Sequence, residues 1–270
     1  MVTHAAVWIR FDNPRSADVR FLEEAARLGP LHAWLASDEA LAASGLPPRF
    51  PEAERFYFLR AIRHVHDVRM AAWPCDGTTA PDFGRLRAAW VVAEADDSPA
   101  RREQCRAAGL PYHVVPQAQM AGFPAPAASR PDIGRPKVIV TGCFDWLHSG
   151  HVRFFEEASQ LGTLHVVVGH DENVRMLKGP GHPMHSAEER RYMAGAIRFV
   201  HRALISTGRG WMDAAPEISR IQPDIYVVNE DGDRPEKRDF CERRGIRYVV
   251  LAREPMEGLP RRTSTELRGS

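Results

Sequence analysis

Short apolar runs alternate along this chain with amphipathic stretches of helix length. Residues 138–140 are all β-branched, and the run breaks at Gly142. An amphipathic segment follows over residues 152–161, and a second apolar run occupies residues 164–169. A β-branched run, a glycine turn and a helical pattern together predict a strand, a tight turn and a helix. Continuous apolar strands are typical of parallel sheets covered on both faces, so the pattern predicts an α/β protein.

The turn between the first of these strands and its helix carries two histidines, His148 and His151, one helical turn apart. Backbone N–H groups at a helix N-terminus are unpaired, and the helix dipole favours an anion there. Two imidazoles at that place can donate hydrogen bonds to charge that develops at a phosphorus centre. The segment therefore predicts a phosphate site with His148 and His151 as its catalytic side chains.

The first half of the chain resembles the second. Residues 11–32 match residues 144–165 at a constant offset, with more than half of the aligned positions identical, and two later stretches of each half also match. The alternative, that the first half is an unrelated α/β domain, does not explain these identities. We infer a tandem duplication, with a first domain over residues 1–121, a proline-rich linker over 122–136 and a second domain over 137–270.

The first copy lacks the side chains that predict chemistry in the second. Arg15 and Asp18 stand where the second copy has His148 and His151. A carboxylate at Asp18 would repel phosphate. We therefore expect the first domain to be degenerate, with a preserved scaffold and no catalysis.

The segment from Thr141 to Asp145, taken with His148-Ser-Gly-His151, resembles the signature of the cytidylyltransferase-like nucleotidyltransferases, especially the glycerol-3-phosphate and ethanolamine-phosphate cytidylyltransferases. The resemblance covers nearly all of residues 137–268 with such motifs, and most of residues 1–121 without them. It implies two tandem Rossmann-like domains, each built on a doubly wound parallel sheet. The nucleotide contacts that it implies at the signature are Thr141, Gly142, Cys143, Phe144, Asp145 and Gly150.

The same resemblance implies roles for three basic residues further along. Lys178 lies in a Lys-Gly-Pro loop, where the family uses a lysine to neutralise the triphosphate and assist catalysis. Arg190 and Arg198 correspond to arginines that face substrate and nucleotide phosphates. The first copy keeps both arginines, so salt bridges between helices or domains are an alternative role for them.

Three later segments complete the site that the resemblance implies. Trp211 is similar to a tryptophan near the pocket, with buried packing as the alternative, and Asp231 belongs to an acidic turn at a strand end. Asn229 stands before this turn, where the family usually has glycine. The closing motif is expected to hold the terminal phosphates through its hydroxyls and backbone N–H groups, or else simply to cap a helix. Its residues are Arg262, Thr263, Ser264 and Thr265.

Together these features predict a nucleotidyltransferase that most resembles enzymes using CTP. A phosphate or phosphonate oxygen of a small acceptor would attack the α-phosphorus, and pyrophosphate would leave. Mg²⁺ is expected with the triphosphate, held by phosphate oxygens and water, because no cage of protein carboxylates is evident. Two alternatives stay open: an adenylyltransferase of the same superfamily that uses ATP, and a nucleotide-binding regulatory or scaffold protein without turnover.

The amino-acid composition argues against two classes of binding partner, nucleic acids and membranes. The 270 residues include 36 basic and 35 acidic side chains, for a net charge of +1, which gives no nucleic-acid signature. The four cysteines form no CxxC pair, and no apolar segment approaches the length of a membrane span. We therefore expect a cytoplasmic protein without a membrane or nucleic-acid partner.

The retained scaffold of the first copy predicts how the chain assembles. Relatives with one catalytic domain commonly pair as homodimers, and a duplicated domain can supply the partner surface within one chain. We expect an intramolecular pseudo-dimer, and hence a monomeric protein.

Overall fold

The structure is a computed structural model that describes residues 4–72, 82–84, 86–124, 134–263 and 267. The chain divides into two compact units, Met1–Gly122 and Phe123–Ser270. Most of the predicted linker, residues 125–133, lies outside the described residues. Within the described part of the chain, no helix is long and apolar enough to cross a membrane.

The first unit alternates strands and helices. Its elements are β1 (His4–Ile9), α1 (Ser16–Ala26), β2 (Leu31–Ala36), α2 (Asp38–Ala43), α3 (Glu52–Ala61), β3 (Val65–Ala71), β4 (Ala88–Ala93), α4 (Pro99–Ala107) and β5 (Tyr112–Val115). Two short 3₁₀ turns follow β4 and β5.

The second unit has the same alternation. Its elements are β6 (Lys137–Gly142), α5 (Ser149–Gln160), β7 (Thr163–Val168), α6 (Asp171–Lys178), α7 (Ala187–Gly195), β8 (Val200–Ile205), α8 (Ala215–Ile221), β9 (Ile225–Asn229), α9 (Pro235–Arg243) and β10 (Arg247–Leu251). Single 3₁₀ turns precede α8 and follow β9.

Each unit contains one five-stranded parallel sheet, and the two sheets share one strand order. The first runs β3-β2-β1-β4-β5 and the second runs β8-β7-β6-β9-β10. In each sheet the chain first builds outward on one side of the initial strand and then crosses to the other side. Ligands of open α/β sheets bind at such a reversal, beyond the carboxyl ends of the strands. The predicted α/β class and the Rossmann-like, doubly wound parallel sheets are confirmed.

The second unit's core explains why the apolar runs became strands. Residues 138–140 of β6 are wholly buried, and β7 lies beside them in parallel register. Helix α5 covers this sheet with Val152, Phe155 and Ala158, which recur at helical spacing and are fully buried. Burying side chains of this size stabilises the fold by about 1.5–3 kcal/mol for each larger one.

Gly162, in the turn between α5 and β7, permits a close backbone approach. A Cβ at this position would lie 2.1 Å from the carbonyl oxygen of Pro136, which also accepts a hydrogen bond from Thr163 N–H. We expect Gly162→Ala to lower the free energy of unfolding by about 1–3 kcal/mol, because backbone must move to make room. Chemical denaturation of the purified variant measures this loss.

Gly195→Ala is the matched control. There a Cβ would meet only the Cβ of Ala203, at an ordinary 3.5 Å, and the residue ends helix α7. Its stability should stay unchanged or rise by up to about 1 kcal/mol, since alanine is the better helix former. Equal stability of the two variants would contradict the close approach at Gly162.

Candidate active site

The segment with the two histidines lies at the reversal of strand order in the second sheet. It follows the end of β6 at Gly142 and leads into α5, while β9 borders β6 on the other side. The side chain of Thr141 shares a 2.6 Å hydrogen bond with the hydroxyl of Tyr226 on β9. The sequence signature is therefore placed where parallel α/β sheets bind their ligands.

A strained turn brings the histidines to this edge. Phe144 adopts a φ of +50°, in the left-handed region that phenylalanine rarely occupies. Its ring lies over Gly142, where a Cβ would come within 2.8 Å of the ring, and it packs against Phe155 and His151. Phe11 of the first unit has a matching φ of +47°. Glycine at 142 thus makes room for the aromatic ring that supports the turn.

The two imidazoles stack on each other at the start of α5. Their ring centroids are 4.0 Å apart, with 27° between the ring planes. His148 is the N-cap residue, and its Nδ1 accepts a hydrogen bond from Gly150 N–H at 3.1 Å. His148 Nε2 and His151 Nδ1 are buried and have no hydrogen-bond partner in the described structure. Buried nitrogens without partners require an explanation, and a ligand that supplies the missing partner is one.

Burial keeps both histidines neutral. It lowers the pKa of His148 to about 3, and the nearby charges of Arg253 and Arg262 add to the effect. Burial also places the pKa of His151 well below its ordinary value, with smaller contributions from His148, Arg253 and Lys178. Since His148 Nδ1 is an acceptor, its single proton belongs on Nε2. His148 therefore presents an uncharged N–H donor at neutral pH.

Basic side chains surround the histidines. Lys178 is exposed at the end of α6, close enough for its charge to oppose the rise that burial causes in the pKa of the Cys143 thiol. Arg253 donates to the Asp231 carboxylate at 2.7 Å and to the carbonyl oxygen of Arg262 at 3.0 Å. Asp231 is thus held by an arginine, and positive charge collects around the start of α5.

Arg253 was missed in the sequence analysis. It follows β10, at the same sheet edge as the histidines, and lines a small cavity with Gly150 and Arg262. A Cβ on Gly150 would stand 3.7 Å from the Arg262 carbonyl oxygen, so the chain after β10 passes close to the start of α5. The position after a parallel strand was the signal that could have identified it.

Asp145 holds a loop rather than facing solvent. It is 5% exposed, and its carboxylate accepts hydrogen bonds from the backbone N–H groups of Met184 and His185 at 2.8–3.0 Å. In the first unit Asp12 accepts from two backbone N–H groups of the matching loop. The predicted nucleotide contact at Asp145 is therefore an anchor in this structure, and it contributes to the site by fixing the loop before α7.

Arg190 is also an anchor. It is 1% exposed, and its guanidinium donates to the backbone carbonyl oxygens of Cys143, Gly169 and His185 and to the carboxylate of Asp171. These bonds leave no exposed surface for a substrate, so the predicted direct contact is not what the side chain makes here. The observed bonds agree with the alternative given in the sequence analysis, in which this arginine supports the structure.

The other predicted substrate residues lie at the surface. Arg198 is exposed beyond the end of α7. Trp211 is 49% exposed, with the Arg234 guanidinium 4.9 Å from its ring, so burial in a core does not account for it. The turn that carries Trp211 is fixed by Asn173, which exchanges two hydrogen bonds with Gly210.

The closing motif is only partly described. Thr263 accepts a hydrogen bond from Leu267 N–H at 3.2 Å, as at the first turn of a helix. The predicted contacts at Ser264 and Thr265 lie outside the described residues. Among the residues that the structure describes, no group of three or more histidine, cysteine or acidic side chains could hold a metal ion.

Comparisons with known proteins place these features in a family. Residues 139–269 match the family model described as cytidylyltransferase-like. The chain is 37% identical over 130 residues to the FAD synthase of Methanopyrus kandleri, covering 46% of this chain and 83% of that protein. It is 42% identical over 96 residues to the FAD synthase of Thermococcus kodakarensis, covering 35% of this chain and 62% of that protein.

The chain also resembles another named protein and a solved structure. The bifunctional protein HldE of Campylobacter concisus is 36% identical over 100 residues, with 36% of this chain and 21% of that protein covered. Among solved structures, a lipopolysaccharide core biosynthesis protein from Thermoplasma volcanium matches 46% of this chain and 100% of its own, at 25% identity and a TM-score of 0.39.

The tautomer of His148 is a direct prediction of this geometry. We expect its imidazole to stay neutral and protonated on Nε2 from pH 8 down to about pH 5 in the ligand-free protein, because burial has lowered its pKa to about 3. Histidine ¹⁵N NMR, assigned by comparison with His148→Gln, measures both properties. A titration midpoint near the ordinary value of 6.5 would contradict the burial of this ring.

Proposed function

Because the chain belongs to the cytidylyltransferase-like nucleotidyltransferases, we propose that its second unit transfers a nucleoside monophosphate from a triphosphate to a small phosphate- or phosphonate-bearing acceptor. The observation that carries this proposal is the stacked pair His148 and His151, whose buried nitrogens lack partners at the start of α5. A phosphate at that helix start would supply the missing acceptors and meet the positive end of the helix dipole.

The reaction needs no strong base, because the attacking phosphate oxygen is already an anion. It forms a bond to the α-phosphorus, the bond to the β-phosphate oxygen breaks, and pyrophosphate leaves with that electron pair. Catalysis then depends on positioning and charge neutralisation. A neutral histidine suits this task, since the Nε2–H of His148 can donate a hydrogen bond to a phosphate oxygen without a costly buried charge.

The basic side chains have two further roles, charge neutralisation and positioning. Lys178 and Arg262 would offset charge on the triphosphate, with Arg253 fixing the segment that carries Arg262. The nucleotide would bring Mg²⁺ on its own phosphate oxygens, as part of the substrate. The lining of basic and neutral groups fits such a complex, because the two nearby carboxylates, Asp145 and Asp231, already hold backbone N–H groups and Arg253.

We propose ATP as the nucleotide. Support comes from the FAD synthases, whose product joins an adenylate to a flavin mononucleotide through a pyrophosphate bridge. CTP is the second candidate, favoured by the signature's resemblance to the glycerol-3-phosphate and ethanolamine-phosphate enzymes and by the description of the matching family. The histidines act on phosphates, so they favour neither base.

A pyrophosphate-release assay tests the proposal. The purified chain is supplied with MgATP or MgCTP and with flavin mononucleotide, glycerol 3-phosphate, ethanolamine phosphate, a sugar 1-phosphate or an alkyl phosphonate. We expect release with ATP and at least one acceptor, and mass spectrometry should find the acceptor joined to AMP. Pyrophosphate release with CTP but not with ATP would show that CTP is the nucleotide substrate. Absence of pyrophosphate release with every combination would favour a nucleotide-binding protein without turnover.

Removing either imidazole should stop most turnover without unfolding the chain. We expect His148→Ala and His151→Ala each to lower kcat about 10²- to 10³-fold, the usual cost of one lost transition-state donor. Thermal melting should show a folded protein with a lower melting temperature than the parent, because each variant loses a packed, stacked ring.

Arg15→Ala is the matched control, since Arg15 is exposed at the corresponding helix start of the first unit. Its rate should equal that of the parent. Near-parental rates for both histidine variants would overturn the mechanism. An equal loss in Arg15→Ala would overturn the assignment of chemistry to the second unit alone.

A further inference from the structure

The first unit contains a large cavity at its own reversal of strand order. The cavity has a volume of about 950 Å³ and lies at the carboxyl ends of β1 and β4, which are neighbours in the sheet. Residues of the first unit line it. Its size falls in the range of roughly 300–1,000 Å³ that is usual for small-molecule sites. The first unit has thus kept a space at the edge where such sheets bind ligands.

Aromatic side chains form much of the wall. Trp8 on β1 and Trp90 on β4 line the cavity and pack with the same buried cluster, so they lie on one face of the sheet. Phe11 and Phe21 line it as well. Trp90 and Phe11 are buried, so Trp8 and Phe21 provide the accessible aromatic surface. Flat aromatic walls favour a planar ring, because bases and other heterocycles stack on them.

One basic side chain in this cavity lacks a partner. Arg10 directly follows the last residue of β1 and lines the cavity together with Trp8. Its Nε is buried without a hydrogen-bond partner, and its guanidinium pairs with no carboxylate in the described part of the chain. By contrast, Arg55 of the same unit uses all three guanidinium nitrogens. A buried donor of this kind calls for an acceptor from a ligand.

The same cavity disfavours phosphate. Asp18, another of its lining residues, accepts a hydrogen bond from Arg15 N–H at 2.7 Å at the start of α1. A carboxylate therefore occupies the place where a phosphate would meet the helix dipole, and it would repel one. His151 stands at this position in the second unit.

We propose that the first unit binds a nucleoside or free nucleobase, without phosphates, in this cavity. The planar base lies against the part-exposed Trp8, and a carbonyl or ring nitrogen on its edge accepts from Arg10. The ligand is bound and released without chemistry. This site is separate from the transfer reaction proposed for the second unit, and a failure of that reaction would leave it unaffected.

Calorimetric titration of the full-length chain tests the site. Adenosine, guanosine, cytidine and uridine are titrated separately, and each titration is repeated with Arg10→Met. We expect at least one nucleoside to bind and its affinity to fall about tenfold or more in Arg10→Met, the usual effect of losing a hydrogen bond to a charged group. ATP and CTP affinities should not change in that variant.

Two alanines on helix α2 provide a matched pair of steric variants. Ala43 lines the cavity and Ala42 does not, and both are exposed near the end of the helix. Ala43→Trp should abolish the Arg10-dependent binding, while Ala42→Trp should retain it. Circular dichroism and the pyrophosphate assay establish that all three variants are folded and unchanged in the second unit.

Three results would overturn the proposal. The first is the absence of binding by all four nucleosides up to 1 mM, a limit of about −4 kcal/mol in binding free energy. The second is an affinity that neither Arg10→Met nor Ala43→Trp changes, which would place the ligand elsewhere. The third is tighter Arg10-dependent binding of ATP or CTP than of the nucleosides, since phosphate exclusion by Asp18 would then be wrong.

Discussion

The candidate active-site edge of the second unit depends on one buried guanidinium. Arg190 joins the end of β6, the end of β7 and the loop before α7 through backbone carbonyl oxygens, and it pairs with Asp171 at the start of α6. A single planar group with five donors in a fixed fork can do this, and a lysine cannot. Because the side chain is 1% exposed, losing its partners would leave a buried charge uncompensated, at a cost of about 3–5 kcal/mol.

The first unit has the same arrangement without the two histidines. Arg55 bonds to the carbonyl oxygens of Arg10 and Phe50 and to the carboxylate of Asp38. Asp12 anchors the loop that contains Phe50. Arg15 and Asp18 do not anchor a loop in this way, since Arg15 is exposed and Asp18 accepts a hydrogen bond from the nearby Arg15 N–H. The residues that position the loops are therefore alike in the two units, while the residues at the helix start differ.

This separation explains what the sequence could and could not predict. Apolar runs and their spacing determine burial directly, so the parallel sheets, the helix with His148 and His151, and its turn were all predictable. The roles of Asp145 and Arg190 were not, because a carboxylate beside a phosphate signature has the same sequence pattern whether it faces the ligand or the backbone. Arg55 stands at the matching position of the first unit, which lacks the histidines, and this was the available signal that an arginine there supports the fold.

Arg253 illustrates a second limit. It is far from the histidines along the chain, and only the sheet order brings the end of β10 near the start of α5. Its position after a strand indicates the ligand-binding edge of the sheet, but its contact with the start of α5 depends on the order of β9 and β10 beside β6. The strand pattern predicted a parallel sheet, but the neighbours of each strand come from tertiary packing.

The charge distribution of the second unit follows from the same geometry. Protonating the stacked histidines would add buried charge beside Arg253 and Arg262, and both burial and repulsion oppose it. Neutral rings therefore occupy the inner positions, and permanent cations surround them where solvent can screen their mutual repulsion. A triphosphate entering this edge would lower the electrostatic cost for both groups at once. In the proposed reaction, the buried rings would orient phosphate oxygens and the more exposed cations would neutralise charge, so burial and exposure separate the two roles.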